Sequence, residues 1–310
     1  MVKRFRNILF VADREDGLDA ALDRAVAVSR TNAARLTVMD VTPDAGLDSY
    51  LRRTYAVDLN ARLREQRLES LEAFTRPYTD TGVPVYTTVV TGTLFLEVIR
   101  AVQRNAHDLV MKVAQHATDL ASALFGSDDM HLLRKCPCPV WIDRPAGARP
   151  YQRLLAAVDP FDDESGDLQR LILDLATSLA ERERALLDIV HTWELPGESM
   201  LANGRGRIAR SELDRLLDDT EMRHRHALDQ LLTPYGLNSE ADNVHLLKGR
   251  PARMISAFTR EQGIDLVVMG TLGRIGIPGL FIGNTAEDVL RETQTPVLAV
   301  KPRDFVTPVR

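Results

Sequence analysis

The 310-residue chain is poor in cysteine, holding two, Cys136 and Cys138, one residue apart in Lys-Cys-Pro-Cys-Pro. So few thiols exclude a disulfide-stapled fold, a thioredoxin-type pair needs two intervening residues, and no partner ligands stand at metal-site spacing. The expected role of the motif is modest: its prolines punctuate the turn before a strand and its thiols pack. Long apolar runs are also missing. Residues 7–12, 154–158 and 266–269 are strand-sized, far short of the roughly 20 residues that cross a bilayer. Met1 to Asn7 carries basic residues without the apolar stretch of a signal peptide, so a cytoplasmic location is expected. There is no excess of positive charge either. A formal charge of −5 leaves nothing to hold nucleic acid or an anionic membrane by counterion release, and neither is expected as a partner.

Catalytic signatures are equally scarce. The chain has no Gly-x-Ser-x-Gly elbow, no phosphate loop ending in Gly-Lys-Ser/Thr and no metalloprotease helix. His224-Arg225-His226 falls in a helical stretch where neighbours one or two apart do not share a face, so metal ligation is not expected. No residue identifies itself as a catalytic base or nucleophile, and the chain is read as a binding protein rather than an enzyme.

What is present is a duplication. Asp108-Leu109-Val110-Met111 echoes Asp265-Leu266-Val267-Val268, Gly126 echoes Gly283, Leu133-Arg134 echoes Leu290-Arg291 and Pro139-Val140 echoes Pro296-Val297, all at an offset of 157 residues. Gly92 and Gly249, and Pro145 and Pro302, keep the same offset. Upstream, residues 7–13 resemble residues 153–159, the second copy having a longer loop from Pro160 to Gly166. With 45% apolar and 27% charged residues the composition is that of a globular protein, and the length fits two domains of ordinary size. They are placed at 1–145 and 151–303, joined by the Pro/Gly/Ala connector Pro145–Pro150.

Within each copy strand-like runs alternate with segments of helical period, the pattern of an open parallel sheet covered by helices. In the second copy strands are expected at 153–158, 185–191, 243–247, 265–269 and 296–300. A long helix is expected from Arg205 to Leu232, with Ile208, Leu213, Leu216, Leu217, Leu228, Leu231 and Leu232 mostly on one face. Open parallel sheets bind ligands at the carboxyl ends of their strands. Those ends hold Asp159 and Pro160, His191 and Thr192, Lys248 and Gly249, and, after Met269, a glycine-rich loop beginning at Gly270.

The loop has Gly270, Gly273 and, nine residues on, Gly283, followed by Asn284, Thr285 and a helix. Glycines let backbone N–H groups approach an anion, and the helix N-terminus would face it. The bland alternative is a loop before a helix capped by Asn284 with Glu287 or Thr285 with Asp288, and spacing alone does not separate the two.

Gly-x2-Gly-x9-Gly followed by a small hydroxyl residue resembles the nucleotide motif of the universal stress protein family. The stretches Val268–Arg274 and Gly283–Glu287 are similar to the tandem E-type branch. The resemblance implies two Rossmann-like domains, of the adenine nucleotide α-hydrolase-like kind, forming an internal pseudo-dimer through their last strands, with further association into oligomers open. It also implies a cytoplasmic role in stress resistance and ATP as ligand. Asp159 would then contact the ribose, Thr192 would lie against adenine, and Gly249, Met269, Gly270, Gly273, Gly283, Asn284 and Thr285 would line the pocket. Asn284 departs from the family's usual Ser or Thr. The first copy departs further, with Val113 and His116 where the second has Gly270 and Gly273, so it is not expected to bind ATP and its Asp13 is read as a turn-forming strand-end residue. Two other readings stay open: a slow ATPase, and a binder of an apolar or lipid-like molecule, suggested by Ile275–Ile282.

Overall fold

The computed structural model describes residues 5–13, 17–46, 48–55, 58–114, 127–144, 150–161, 167–204, 206–271, 283–293 and 295–309. In the first repeat the chain runs through β1 (Asn7–Val11), α1 (Leu18–Asn32), β2 (Arg35–Thr42), α2 (Asp48–Tyr55), α3 (Leu59–Thr75), β3 (Val85–Thr91), α4 (Leu94–Asn105), β4 (Leu109–Val113), α5 (Ser127–Lys135) and β5 (Val140–Asp143). The second repeat follows with β6 (Arg153–Ala157), α6 (Asp167–Glu183), β7 (Leu186–Trp193), α7 (Glu198–Asn203), α8 (Arg210–Leu232), β8 (Val244–Lys248), α9 (Pro251–Glu261), β9 (Leu266–Gly270), α10 (Asn284–Glu292) and β10 (Val297–Val300).

Packing divides the described residues into two compact units, and the cut does not follow the repeat to its end. The first unit holds the chain up to Pro150 together with Pro296–Arg310, and the second holds the rest from Tyr151. In the first, the strand order is β3-β2-β1-β4-β5-β10, parallel through β5. The last strand then lies antiparallel to β5, with Val297 opposite Ile142 and Ala299 opposite Val140. The closing strand of the second repeat is thus paired with the closing strand of the first, so neither of these short apolar strands leaves its facing edge open. In the second unit the order is β9-β6-β7-β8, all parallel.

The local reasons for this order are visible in the repeat itself. Every residue of β1 and β4 is buried, as expected of strands covered on both faces. Helices supply the cover through stripes of helical spacing: Leu168, Ile172, Leu175, Ala176 and Leu179 on α6, and Val98, Ile99, Ala101 and Val102 on α4. One carboxylate fixes the central pair of strands in each copy. Asp108 accepts hydrogen bonds from the Arg6 and Asn7 N–H groups at 2.7 and 3.0 Å, and Asp265 does the same for Gln152 and Arg153 at 2.7 and 2.9 Å. These carboxylates set β1 against β4 and β6 against β9 in the same register, Ile8 opposite Leu109 and Leu154 opposite Leu266.

The long helix differs from expectation. Residues 198–203 form the separate α7, and α8 begins only at Arg210. Its buried stripe runs through Leu213, Thr220, Leu228 and Leu232, while Leu216, one position off the stripe, is exposed. His224 stands four residues after Thr220 and four before Leu228, so the helical period turns its ring inward.

Candidate functional site

In the second unit the parallel strands deliver their carboxyl ends to one side of the sheet. Asp159 follows β6, and its Oδ1 accepts a hydrogen bond from Phe161 N–H at 3.1 Å, closing a turn. The Asp159 N–H donates to Gln169 Oε1 of α6 at 2.9 Å. Thr192 lies within β7, half-buried, on the opposite sheet face from its neighbours His191 and Trp193. Gly249 follows β8 with φ +139°, a conformation that favours glycine, and a Cβ there would sit 2.9 Å from Met254 Sδ and push that side chain aside. Met269 is buried near the end of β9.

Gly270 ends β9 without positive φ; its lack of a side chain instead admits α6, since a Cβ would lie 3.2 Å from Leu168 Cδ2. The next residue, Thr271, is fully buried, its hydroxyl has no hydrogen-bond partner among the described residues, and its carbonyl accepts from Gly283 N–H at 2.9 Å. That bond brings the two ends of the glycine loop together and sets the start of α10 beside the end of β9. Gly283 occupies the N-cap, so α10 starts with no side-chain cap and with Asn284 already as its first helical residue. The alternative in which Asn284 caps the helix is not what is found. Gly273, the segment Ile275–Ile282, His116 and Gly126 lie outside the described residues, as do the side chains of Asn284 and Thr285.

Beside Asp159 the structure assembles a group that the strand-end reading only half found. His191 is buried on β7, with Nδ1 3.1 Å from the Val158 carbonyl oxygen and Nε2 2.8 Å from His224 Nδ1 on α8. The two imidazoles stack at 5.1 Å between centroids, Phe161 meets His224 edge-on at 4.7 Å, and the Trp193 ring lies 6.2 Å from His224. A carbonyl oxygen can only accept, so a neutral His191 carries its proton on Nδ1 and its Nε2 accepts from the Nδ1–H of His224. Lys248, at the end of β8, lies over Trp193 at 5.7 Å and pairs with Glu198 at 2.7 Å. Sequence spacing could have flagged His224 through its place on the α8 stripe, but nothing in the chain links it to a residue 33 positions earlier.

The matching place in the first unit is built differently. Lys112, which stands where the second repeat has Met269, is completely buried at the end of β4. Its Nζ lies 2.8 Å from Asp13 Oδ2 and 3.0 Å from Asp129 Oδ1, and it donates to the Val113 carbonyl at 2.9 Å. Asp129 is in turn the counterpart of Ala286. An ammonium has three donors, and this pocket supplies three oxygens. Burial pushes the Asp13 carboxyl up, against the pull of Lys112. Asp13 is therefore more than a turn former: it is one arm of an internal ion cluster occupying the strand ends where the second repeat presents Asp159. Val113 is buried at the position of Gly270.

Two tandem α/β units, each with parallel strands whose ends meet the N-terminus of a following helix, define a duplicated Rossmann-like protein. The model of the universal stress protein family matches residues 4–144 and again 150–301, and the chain belongs to that family. The arrangement is the tandem E type: universal stress protein E of Escherichia coli K12 is 28% identical over 98% of this chain and 96% of its own length. The universal stress protein E homolog of Haemophilus influenzae is 24% identical over 96% and 98%. The fold is shared with a functionally unknown protein of Pseudomonas aeruginosa PAO1 (TM-score 0.74, 24% identity, 97% of this chain and 94% of that one). It is shared also with a universal stress protein of Archaeoglobus fulgidus (TM-score 0.65, 18% identity, 96% and 98%). Membership places the chain among stress-response proteins. No helix among the described residues is long and apolar enough to cross a membrane, and they contain no cluster of three or more metal-ligating side chains.

Proposed function

We propose that the chain is a cytoplasmic stress-response binding protein that takes one adenine nucleotide in its second repeat, spanning 151–303, and none in its first, spanning 1–145. The observation that carries this reading is the contrast between matched positions. In the second repeat the start of α10 is capped by a glycine alone, beside a buried Thr271 hydroxyl with no partner among the described residues. Free N–H groups at a helix start attract phosphate oxygens, and a buried hydroxyl lacking a partner costs about 1–3 kcal/mol until something bonds to it. In the first repeat the corresponding strand ends are closed by Lys112 with Asp13 and Asp129.

In this reading Gly270, Gly273 and Gly283, with the backbone of Asn284 and Thr285, face the phosphates. Asp159 takes the ribose, and the base lies by Thr192, Gly249 and Met269. Nothing in the described geometry offers a water-activating base aimed at a phosphate: Asp159 is held in its turn and the His191–His224 pair is bonded to itself and to Val158. In this reading the nucleotide serves as a bound signal rather than as a substrate. Native mass spectrometry of the gently purified chain in ATP should show a single added nucleotide per chain, with phosphate release in Mg²⁺ no faster than without protein. Two nucleotides per chain, none at millimolar ATP, or Mg²⁺-dependent turnover would each contradict the proposal.

A further inference from the structure

The two cysteines pack against each other. Cys136 closes α5 with its N–H donating to the Leu132 carbonyl at 2.9 Å, and a bend through Pro137 and Cys138 folds the chain back before β5. The bend leaves the two Sγ atoms 3.6 Å apart, both residues buried, Cys138 retaining 8% of its surface. A buried cation completes the group. Lys301, directly after β10, is 3% exposed, donates to the Leu133 carbonyl at 2.7 Å and lies over the Phe305 ring at 5.2 Å.

We propose that Cys136 and Cys138 form a redox-active dithiol, a modification site that a peroxide closes to an intrachain disulfide. Proximity is the first reason: the sulfurs need approach by only about 1.5 Å to reach the roughly 2.05 Å of an S–S bond, and the bend already points them at each other. Charge is the second. Burial raises both thiols, yet the Cys138 thiol and N–H and the Lys301 ammonium together hold Cys136 below the ordinary thiol range. The bond to Cys136 and burial hold Cys138 well above it. The pair thus holds its first proton less tightly than its second, so that a thiolate bonded by a neighbouring thiol is the reactive form. Lys301 is itself lowered to about 8 by burial against the pull of the two sulfurs, and Asp108 is the other charge that acts on Cys138.

The chemistry balances in two steps. The thiolate attacks one peroxide oxygen, an S–O bond forms, the O–O bond breaks, and the departing hydroxide takes a proton to become water. The second sulfur then attacks the sulfenyl sulfur, the S–S bond forms, the S–O bond breaks, and hydroxide leaves with the remaining thiol proton as a second water. Two thiols are oxidised and one hydrogen peroxide is reduced. A disulfide spanning only Pro137 is a tight ring, and strained disulfides are readily reduced, which suits a reversible sensor. The site lies wholly in the first unit and does not depend on the nucleotide reading.

The test uses the full chain, reduced, desalted and exposed to hydrogen peroxide at a small molar excess, then quenched and denatured. The free-thiol count should fall from two to none with a mass loss of two hydrogens and no cross-linked dimer, and dithiothreitol should restore both thiols. Cys136→Ser and Cys138→Ser should each stop at a sulfenic acid that dimedone traps. Independent oxidation of both sulfurs to sulfinic or sulfonic acids, chain-to-chain dimers, or two thiols left untouched while denatured protein reacts would each overturn the proposal.

Discussion

At the scale of single residues, the sharpest difference between the repeats is what stands at the end of the strand before the glycine loop. Lys112→Met would install the residue of the second repeat while leaving Asp13 and Asp129 buried without their cation. The expected cost is about 3–5 kcal/mol, read as a lower urea midpoint at unchanged slope. Adding Asp129→Ala, again the residue of the second repeat, should recover part of it; no loss in the single variant would show that the cluster is not held as described. Asp188 offers a pH-dependent case. Desolvation pushes its carboxyl up, but Arg153 at 2.5 Å and His245 at 2.8 Å outweigh it and hold it below the ordinary value. A carboxyl lowered in the folded state contributes stability above its unfolded value near 4, and that contribution drains away as pH falls through the folded value. Asp188→Asn should therefore lower stability at pH 7 by about 3 kcal/mol and flatten the acid limb of a melting-temperature profile, a limb that would stay steep if other carboxylates dominate. The positions of Asp159 and Thr192 near strand ends were legible because strand ends can be located from apolar runs. The Lys112 cluster was not, because a lysine inside a strand reads as an exposed residue until its two carboxylates, from distant segments, are seen around it.

At the scale of elements, the strands of the second repeat fall within a residue or two of where apolar runs place them, whereas the roles of the glycines are visible only in three dimensions. Gly92 and Gly249, equivalent in the two repeats, both need positive φ, at +154° and +139°, and both have a side chain 2.9 Å from a built Cβ. Gly92→Ala and Gly249→Ala should each cost about 1–3 kcal/mol in thermal or urea unfolding. Gly270→Ala strains only packing against Leu168 and should cost about 1 kcal/mol. Equal losses at all three positions would contradict the distinction. The start of α8 was placed five residues early, at Arg205, because Ile208 continues the apolar spacing into Leu213, whereas the helix begins at Arg210. His224 was missed for a related reason: a histidine on an otherwise leucine-lined stripe gives no sign of which strand residue it will meet. The thiols beside β5 are expected to be dispensable for folding, so replacing both cysteines by serine should cost about 1 kcal/mol and leave nucleotide affinity unchanged. A loss of fold, or release of bound metal on that change, would speak against this.

At the scale of the whole molecule, the duplication was legible because fifty residues align at one offset, and the parallel α/β class followed from alternating strand and helix patterns. The pairing of β10 with β5 was expected from the family resemblance, which implies a junction through the last strands, and not from the run itself, since four apolar residues carry no mark of the strand they will pair with. The duplication has left matched places of opposite character in one chain, a helix start capped by glycine alone in the second repeat, where we propose a nucleotide binds, and a buried lysine held by two carboxylates in the first. Calorimetric titration of ATP into the full chain and into Gly273→Val, Asp159→Ala and Asp13→Ala tests that asymmetry most directly. One site per chain is expected, abolished by Gly273→Val, weakened roughly 5- to 150-fold by Asp159→Ala, the effect of about 1–3 kcal/mol from a lost hydrogen bond to a buried partner, and unchanged in affinity by Asp13→Ala wherever that variant folds. Two equivalent sites, or binding that survives Gly273→Val, would contradict it.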